Sequence, residues 1–263
     1  MNLDLSNKNA LVGGSSKGIG CAVAIEMAAL GANVTLVARS ADKLAAVLAT
    51  LDTSKGQKHD FLVLDYSDAE KVQETVANYM KDNNKIFHIL INNTGGPASG
   101  LITEAKVSEF LQAYNNHLVC SHLLSQTVLE GMKKANYGRI INVISTSVKA
   151  PIDNLGVSNT TRWAMAGWAK TWSNEVGKFG ITVNNVLPGF TATDRLFSLI
   201  GSIAKRRDVE PKAVEQGMRN SVPMARFAEP KEVANVVAFL ASPAASYVNG
   251  INVPVDGGRT RSL

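Results

Sequence analysis

A glycine-rich segment near the N-terminus is the first place where residue type and spacing could do chemistry. The run from Gly14 to Gly20 follows an apolar strand-like stretch and precedes a helical one. Glycines permit positive φ and let the backbone approach a pyrophosphate, while a helix N-terminus offers free N–H donors. The G-x-x-x-G-x-G spacing departs from the stricter G-x-G-x-x-G fingerprint, so a tight turn without a ligand is the alternative. The βαβ continuation favours a nicotinamide dinucleotide, held by Gly14, Ser16, Lys17, Gly18, Ile19 and Gly20.

The residues after the second predicted strand bear on which dinucleotide is bound. An NAD site usually places an acid there to bind the ribose hydroxyls. Here that position is Ala38, and Arg39 follows it. An arginine there, together with Lys17, could hold a 2′-phosphate through charge-assisted hydrogen bonds, although both could be solvated cations at loop edges. We therefore predict NADP rather than NAD as the cofactor.

The elements that position these residues alternate between apolar strands and amphipathic helices, which is typical of a parallel sheet covered by helices. The pattern predicts an α/β fold of the Rossmann type, a doubly wound parallel sheet of about seven strands, over a single domain of residues 1–263. Long helices are predicted over residues 107–134 and 158–179. Residues 194–222 are polar and helical without a clean core face, which predicts a small helical lid over a substrate.

The amino-acid composition limits the classes of protein to which this chain can belong. The chain has 45% hydrophobic and 19% charged residues, as expected of a globular enzyme. The sequence shows no signal-peptide layout and no apolar run long enough to span a membrane, so we expect a cytoplasmic protein without membrane contact. It shows no metal-ligand spacing, so we expect no metal and predict that Cys21 and Cys120 are reduced core residues. A formal net charge of +5, without a nucleic-acid motif, does not favour nucleic-acid binding. It could favour an anionic cofactor or an acidic, carrier-bound substrate.

An ordered set of motifs then resembles the classical short-chain dehydrogenases/reductases over essentially the whole chain. After the glycine-rich turn come Asn92-Asn93-Thr94-Gly95, Gly138-Arg139-Ile140, Pro188-Gly189 and Val255-Asp256-Gly257-Gly258. The closest branch resembles the reductases of 3-oxoacyl groups on acyl-carrier protein. The resemblance implies that Asp65 contacts adenine and that Asn92 and Gly95 wall the adenosine site. It places Pro188, Gly189 and Thr193 beside the nicotinamide.

The family works with an Asn-Ser-Tyr-Lys tetrad, and this chain departs from it. The serine maps onto Ser145 at the end of the fifth predicted strand. The tyrosine position, about thirteen residues later in the family's motif, falls on Ser158, and the lysine position falls on Arg162. Counting back from Gly138 places the asparagine position on His117.

These differences bear on proton transfer. The family's tyrosine, with a pKa of about 10 lowered by the lysine, protonates the carbonyl oxygen as hydride arrives. A serine hydroxyl is a far weaker acid, and a guanidinium stays protonated although it can still bind the nicotinamide ribose. His117 could donate the proton instead, or it could be a packed core histidine. Tyr114 and Lys149 are further candidates, more typical of a core tyrosine and a surface lysine.

Two hypotheses follow. The first is an NADP-dependent oxidoreductase that transfers hydride between a carbonyl and an alcohol, with a 3-oxoacyl thioester as one possible substrate and Ser145, Ser158, Arg162 and His117 as its catalytic candidates. The second is a catalytically inactive NADP-binding sensor or partner subunit. The substrate would be a small or acyl-carrier-linked carbonyl compound. The resemblance also implies a homodimer or homotetramer formed through the two long helices, while the lid cluster Lys205-Arg206-Arg207 could meet an acidic carrier or be solvated.

Overall fold

A computed structural model describes residues 1–262 and centres on a seven-stranded sheet. All six strand pairs are parallel, and the strand order is β3-β2-β1-β4-β5-β6-β7. The order reverses between β1 and β4, and this switch point is where doubly wound sheets open a ligand crevice. The predicted Rossmann-type fold is confirmed. The strands are β1 Asn9–Gly13, β2 Asn33–Ala38, β3 Asp60–Val63, β4 Ile89–Asn92, β5 Gly138–Val143, β6 Ile181–Pro188 and β7 Asn252–Val255.

Nine α-helices within residues 1–262 connect and cover the strands. Short 3-10 turns and one π-helical turn complete the set. The α-helices are α1 Gly18–Ala29, α2 Ala41–Leu48, α3 Ala69–Asp82, α4 Val107–Tyr114, α5 Cys120–Lys134, α6 Gly156–Val176, α7 Asp194–Arg207, α8 Pro211–Asn220 and α9 Pro230–Ala241. None of the helices within residues 1–262 has the length and apolar character that crossing a bilayer requires.

Two apolar cores lie on opposite faces of the sheet. Helices α1, α2 and α9 cover one face around Met27, Leu44 and Val237. Helices α3, α5 and α6 cover the other around Val76 and Leu124. Because both faces are buried, the central strands are near-continuous apolar runs, and such runs are recognisable in the sequence.

The predicted helix over residues 107–134 is interrupted. A π-helical turn, Asn115–Val119, separates α4 from α5 and contains His117. A π turn inserts one residue into the helical repeat and rotates the side chains that follow it. It therefore changes which residues of this helix face the cleft.

The prediction that residues 194–222 lack a core face was wrong. Leu196, Ile200 and Ala204 repeat every four residues along α7 and are buried. They pack with Val214 of α8 and with Phe227. We call α7 and α8 the helical cap. The cap has a small apolar core of its own, which its many charged residues obscure in the sequence.

Candidate functional site

A cleft of about 1220 Å³ opens at the carboxyl ends of the strands. Its volume exceeds the roughly 300–1,000 Å³ of a site for one small ligand, so it can hold a dinucleotide and a second molecule. The structure brings nearly all of the predicted site residues to this cleft. Those that line it are Gly14, Ser16, Lys17, Gly18, Ile19, Gly20, Arg39, Asp65, Gly95, Ser145, Ser158, Arg162, Pro188, Gly189 and Thr193. Asn92 and His117 are the two that do not.

The glycine-rich turn has the geometry that the sequence predicts. Gly14 and Gly18 have φ values of +58° and +59°, which side-chain-bearing residues rarely adopt. A Cβ on Gly14 would lie 2.7 Å from the backbone oxygen of Asn93, so no larger residue fits there. No side chain caps the N-terminus of α1. Its free N–H groups therefore face the cleft, and this arrangement fits a pyrophosphate.

Cations surround both ends of the predicted cofactor site. Arg39 is exposed at the end of β2, and Lys43, which the sequence reasoning missed, lines the cleft from the first turn of α2. The Lys17 ammonium lies 3.0 Å from the Asp194 carboxylate, and both side chains are mostly exposed. An ion pair this exposed contributes at most about 1 kcal/mol, so an arriving phosphate can replace Asp194. Cys21, predicted to be a reduced core residue, is a free thiol that packs against the core from a partly buried position and also lines the cleft.

Asn92 is placed inside the sheet rather than on the cleft wall. Its amide nitrogen donates to Asn142 Oδ1 at 2.8 Å. Asn142 donates in turn to Asn185, and Asn185 to Asn252, each at 2.8 Å. These four residues form an asparagine ladder across β4, β5, β6 and β7. The neighbouring Asn93 lines the cleft and donates to the carbonyl of Gly13 at 3.0 Å.

Ser145 and Ser158 bring two hydroxyl groups to the same cleft. The Ser145 oxygen accepts the Ser147 N–H at 3.1 Å, which leaves the Ser145 proton available to another acceptor. Ser158 lies in the first turn of α6 and is 7% exposed. The Ser158 hydroxyl makes no side-chain hydrogen bond within residues 1–262, so both its proton and its lone pairs are available to a ligand.

Arg162 is one helical turn beyond Ser158 and is 7% exposed. Its Nη1 donates to the Val143 carbonyl at 3.3 Å, while its buried Nε has no partner. Burial, and then the charge of Arg195, lower the pKa of Arg162 to about 10. The guanidinium is therefore charged at neutral pH, and no carboxylate within residues 1–262 is paired with it. A buried cation in this state favours a ligand that accepts hydrogen bonds.

His117 is 2% exposed and does not reach the cleft surface. Burial, and then the charges of Arg162 and Arg195, lower its pKa to about 2. The imidazole is neutral at physiological pH, which argues against His117 as the direct proton donor. Its π-helical turn places Asn116, not His117, on the cleft wall.

The other proposed donors lie outside the cleft lining. Tyr114 is 47% exposed, and Lys149 is partly buried within the segment that joins β5 to α6.

The segment that joins β5 to α6 is held by Asn159, a residue that the sequence reasoning missed. The Asn159 amide donates to Ile152 O at 2.9 Å and accepts Ile152 N–H at 3.4 Å. Asn159 therefore positions Ile152, which lines the cleft.

Arg195, in the first turn of α7, is a second missed residue. Its Nη1 donates to Gly96 O at 2.9 Å and its Nη2 to Pro97 O at 3.2 Å. The guanidinium thus joins the helical cap to the segment that follows β4, and it lines the cleft. Its position two residues after Thr193 was the only signal in the sequence that could have indicated it.

Comparison with known proteins agrees with this geometry. A family model described as "Enoyl-(Acyl carrier protein) reductase" matches residues 14–260. The 3-oxoacyl-acyl-carrier-protein reductase FabG of Pseudomonas aeruginosa is 36% identical over 258 residues, which cover 97% of this chain and 98% of that protein.

Two solved structures are similar over nearly their full lengths. L-sorbose reductase from Gluconobacter frateurii, complexed with NADPH and L-sorbose, has a TM-score of 0.93 at 30% identity, with 100% of both chains covered. YwfH, described as an NADPH-dependent reductase involved in bacilysin biosynthesis, has a TM-score of 0.92 at 27% identity. The match covers 98% of this chain and 100% of YwfH.

Proposed function

Since the chain belongs to the short-chain dehydrogenase/reductase family, we propose that it reduces a carbonyl compound with NADPH, using the retained Ser145 together with Ser158 and Arg162 in place of the family's tyrosine and lysine. The observation that carries the proposal is the meeting of these three side chains in the cleft that also holds the glycine-rich turn. The buried Arg162 Nε has no partner, and the Ser158 hydroxyl makes no side-chain hydrogen bond within residues 1–262. Both groups favour a ligand that accepts hydrogen bonds at this point of the cleft.

NADP is the cofactor that the residues fit. The Gly14–Gly20 turn and the uncapped N-terminus of α1 would hold the pyrophosphate. Arg39 and Lys43 would hold the 2′-phosphate at the end of β2. The prediction of NADP agrees with the descriptions of two solved relatives, each of which names NADPH.

Arg162 would supply the main electrostatic stabilisation of the reaction. NADPH bound in this cleft would supply a hydride to the carbonyl carbon, and the C=O π electrons would move onto oxygen. The resulting alkoxide needs positive charge and hydrogen-bond donors close to it. Arg162 is charged, buried and fixed by Val143, so it can meet that need with little reorganisation.

Ser145 and Ser158 would hold the carbonyl oxygen. Ser145 has its proton free, because its oxygen already accepts the Ser147 N–H. Ser158 can donate to the alkoxide and be reprotonated by water in the open cleft. A serine hydroxyl is a much weaker acid than a tyrosine phenol, whose pKa is about 10. The proton is therefore transferred after the negative charge has formed, which places most of the stabilisation on Arg162.

We further propose that the helical cap, over residues 194–222, covers the substrate. Its residues Leu199, Ile203 and Met218 line the cleft, and Arg195 ties it to Gly96 and Pro97. The homodimer or homotetramer expected from the two long helices remains a prediction, as does the cytoplasmic location.

The direct test measures NADPH binding and NADPH oxidation side by side. Binding would be followed by NADPH fluorescence, and turnover with ketones, keto sugars, oxo acids and an acetoacetyl thioester. We expect turnover with at least one class, and Arg162→Met should lower kcat by roughly 10²- to 10³-fold while NADPH still binds. Arg226→Gln, outside the cleft and the helical cap, is the matched control.

The second candidate is a non-catalytic NADPH-binding protein, favoured by the loss of the tyrosine acid at Ser158. Tight NADPH binding without oxidation across the whole panel would support this candidate over the enzyme. The double variant Ser158→Tyr, Arg162→Lys separates the two further. A gain of reductase activity in that variant, from none in the natural sequence, would show that only the proton donor is missing.

A further inference from the structure

Two positive charges without acidic partners lie at the end of the cleft that contains Ser145 and Ser158. Within residues 1–262 the Arg162 guanidinium donates hydrogen bonds only to the Val143 carbonyl, and that of Arg195 only to the carbonyls of Gly96 and Pro97. The charge of Arg195 reaches Arg162, whose pKa it helps to lower. Asp65, Asp153 and Asp194 are the acids that line the cleft, and none of them is within ion-pairing distance of either arginine.

The phosphates of the cofactor have other partners. They belong at the Gly14–Gly20 turn and at Arg39. The turn meets the start of α7, where Lys17 pairs with Asp194, whereas the Arg195 guanidinium extends to the carbonyls of Gly96 and Pro97. The reduced nicotinamide that would reach Ser145 is neutral. Once NADPH is bound, Arg162 has the carbonyl oxygen as a partner, but Arg195 still has none with a charge.

We infer that the substrate is an oxo acid, a carbonyl compound that carries its own carboxylate, and that Arg195 binds this carboxylate while Arg162 faces the reacting oxygen. The inference rests on the proposed reductase function and narrows its substrate class.

The geometry of Arg195 suits this role. A guanidinium has five N–H donors, and the hydrogen bonds to Gly96 and Pro97 use one on each of its two terminal nitrogens. The remaining donors are available to a carboxylate in the cleft, and Arg195 lines that cleft. Because the two carbonyls fix the side chain before the substrate arrives, little rotamer entropy is lost on binding.

Paired substrates that differ only in charge test the inference. Levulinate and methyl levulinate share the same ketone, and pyruvate and acetoacetate place the carboxylate closer to the carbonyl. We expect kcat/KM for the best acid to exceed that of its methyl ester by about tenfold or more, an effect of one good charge pair. The preference should fall as ionic strength rises.

Arg195 variants assign the preference to this residue. Arg195→Gln should lower kcat/KM for the acid much more than for the ester, until the two agree within about twofold, while the dissociation constant of NADPH stays the same. A loss shared by acid and ester would report the broken tie to Gly96 and Pro97 and not the charge preference. Arg195→Lys should retain most of the preference because it keeps the charge. Arg226→Gln is the matched control, since Glu232 already binds that guanidinium at 2.6 Å outside both the cleft and the helical cap.

Three results would overturn the inference. One is equal use of acid and ester by the natural protein. Another is weakened NADPH binding in Arg195→Gln with the acid preference intact, which would assign Arg195 to the cofactor. The third is faster turnover of acetoacetyl-CoA than of a neutral acetoacetyl thioester, combined with no turnover of oxo acids. In that case the protein would recognise the phosphates of CoA, which lie far from the carbonyl, and not a carboxylate near it.

A failure of the proposed function has a different signature. If no carbonyl compound is turned over, the acid and ester are compared by their effect on NADPH fluorescence and on the thermal unfolding of the NADPH complex. Stabilisation by levulinate but not by its methyl ester, lost in Arg195→Gln, would then support the inference without any reductase activity. No difference between acid and ester would overturn it.

Discussion

At the scale of single residues, Arg39 is the side chain on which the choice of cofactor depends. It is exposed at the end of β2 with Lys43 close by in the cleft wall, and no acid occupies the position that would bind ribose hydroxyls. Arg39→Asp should remove a 2′-phosphate partner and repel that phosphate. We expect the ratio of NADPH to NADH affinity to fall by at least about tenfold, or 1.4 kcal/mol. Fluorescence titration with both cofactors measures the ratio.

Lys55→Asp is the control for this change, because Lys55 is an exposed loop residue outside the cleft. It makes the same change in net charge, so an equal loss of preference in both variants would assign the effect to overall charge. An unchanged ratio in Arg39→Asp would contradict the role of Arg39.

His117 predicts a pH dependence of folding. Its pKa is about 2 in the folded chain and returns to about 6.5 on unfolding. Below pH 6.5 the unfolded chain therefore binds a proton that the folded chain does not. The free energy of unfolding decreases by up to about 1.4 kcal/mol for each unit by which the pH is lowered. His117→Asn removes this titration. Between about pH 7.5 and 5, the variant should lose roughly 2 kcal/mol less stability than the natural protein.

Urea unfolding at several pH values measures this difference. The m-value should be the same in both proteins, since the surface exposed on unfolding does not change. His88, whose pKa burial also lowers, to about 4, titrates in both proteins and cancels in the comparison. Parallel pH profiles for the two proteins would mean that His117 is not the buried neutral base described above.

At the scale of elements, the asparagine ladder joins four strands through their side chains. Asn142 is fully buried and bonds both Asn92 and Asn185. Asn142→Ala would leave a buried donor on Asn92 and a buried acceptor on Asn185, each costing about 1–3 kcal/mol. Asn252→Ala at the end of the ladder breaks one bond at a partly exposed site. We expect the first variant to lose about 2–4 kcal/mol in chemical denaturation and the second about 1 kcal/mol. Equal losses would show that the ladder does not act as a connected unit.

The elements themselves show what could be predicted from the sequence. The approximate number of strands and their parallel arrangement could be predicted from apolar runs bounded by Gly, Pro and Asn, because a parallel sheet buried on both faces needs such runs. The strand order is known only from the structure. The glycine-rich turn was predictable because backbone conformation alone demands glycine at Gly14 and Gly18.

What the sequence did not reveal has a common cause. The π turn at Asn115–Val119 adds one residue to a helical repeat without any composition signal, and it turns His117 inward. Asn92 has the right residue type for a binding site, but its partner Asn142 is fifty positions away. The sequence does not distinguish Arg195 from the other charged residues of α7, because only the structure shows that Gly96 and Pro97 lie beside it. Each of these depends on contacts between segments distant in the chain.

At the scale of the whole molecule, the positive charge is concentrated at the cleft. Eight Lys and Arg side chains and three Asp side chains line it, a surplus of five that equals the formal net charge of +5. The remaining Lys, Arg, Asp and Glu residues therefore balance, and the excess charge is not spread over the solvated surface. A concave site lined by one sign of charge attracts oppositely charged ligands from a distance.

This distribution predicts that NADPH association is steered by electrostatics. The pyrophosphate and 2′-phosphate together bring about four negative charges. Because counter-ions screen them, the association rate should fall by roughly tenfold or more from low to high salt, while the dissociation rate changes less.

Arg206→Asp with Arg207→Asp, at the cleft rim, should slow association at low salt. Lys55→Asp with Lys58→Asp changes the net charge equally at exposed positions outside the cleft and should not. Stopped-flow NADPH fluorescence measures both rates. If the two double variants slow association equally, the net charge of the protein and not the field of the cleft attracts the cofactor.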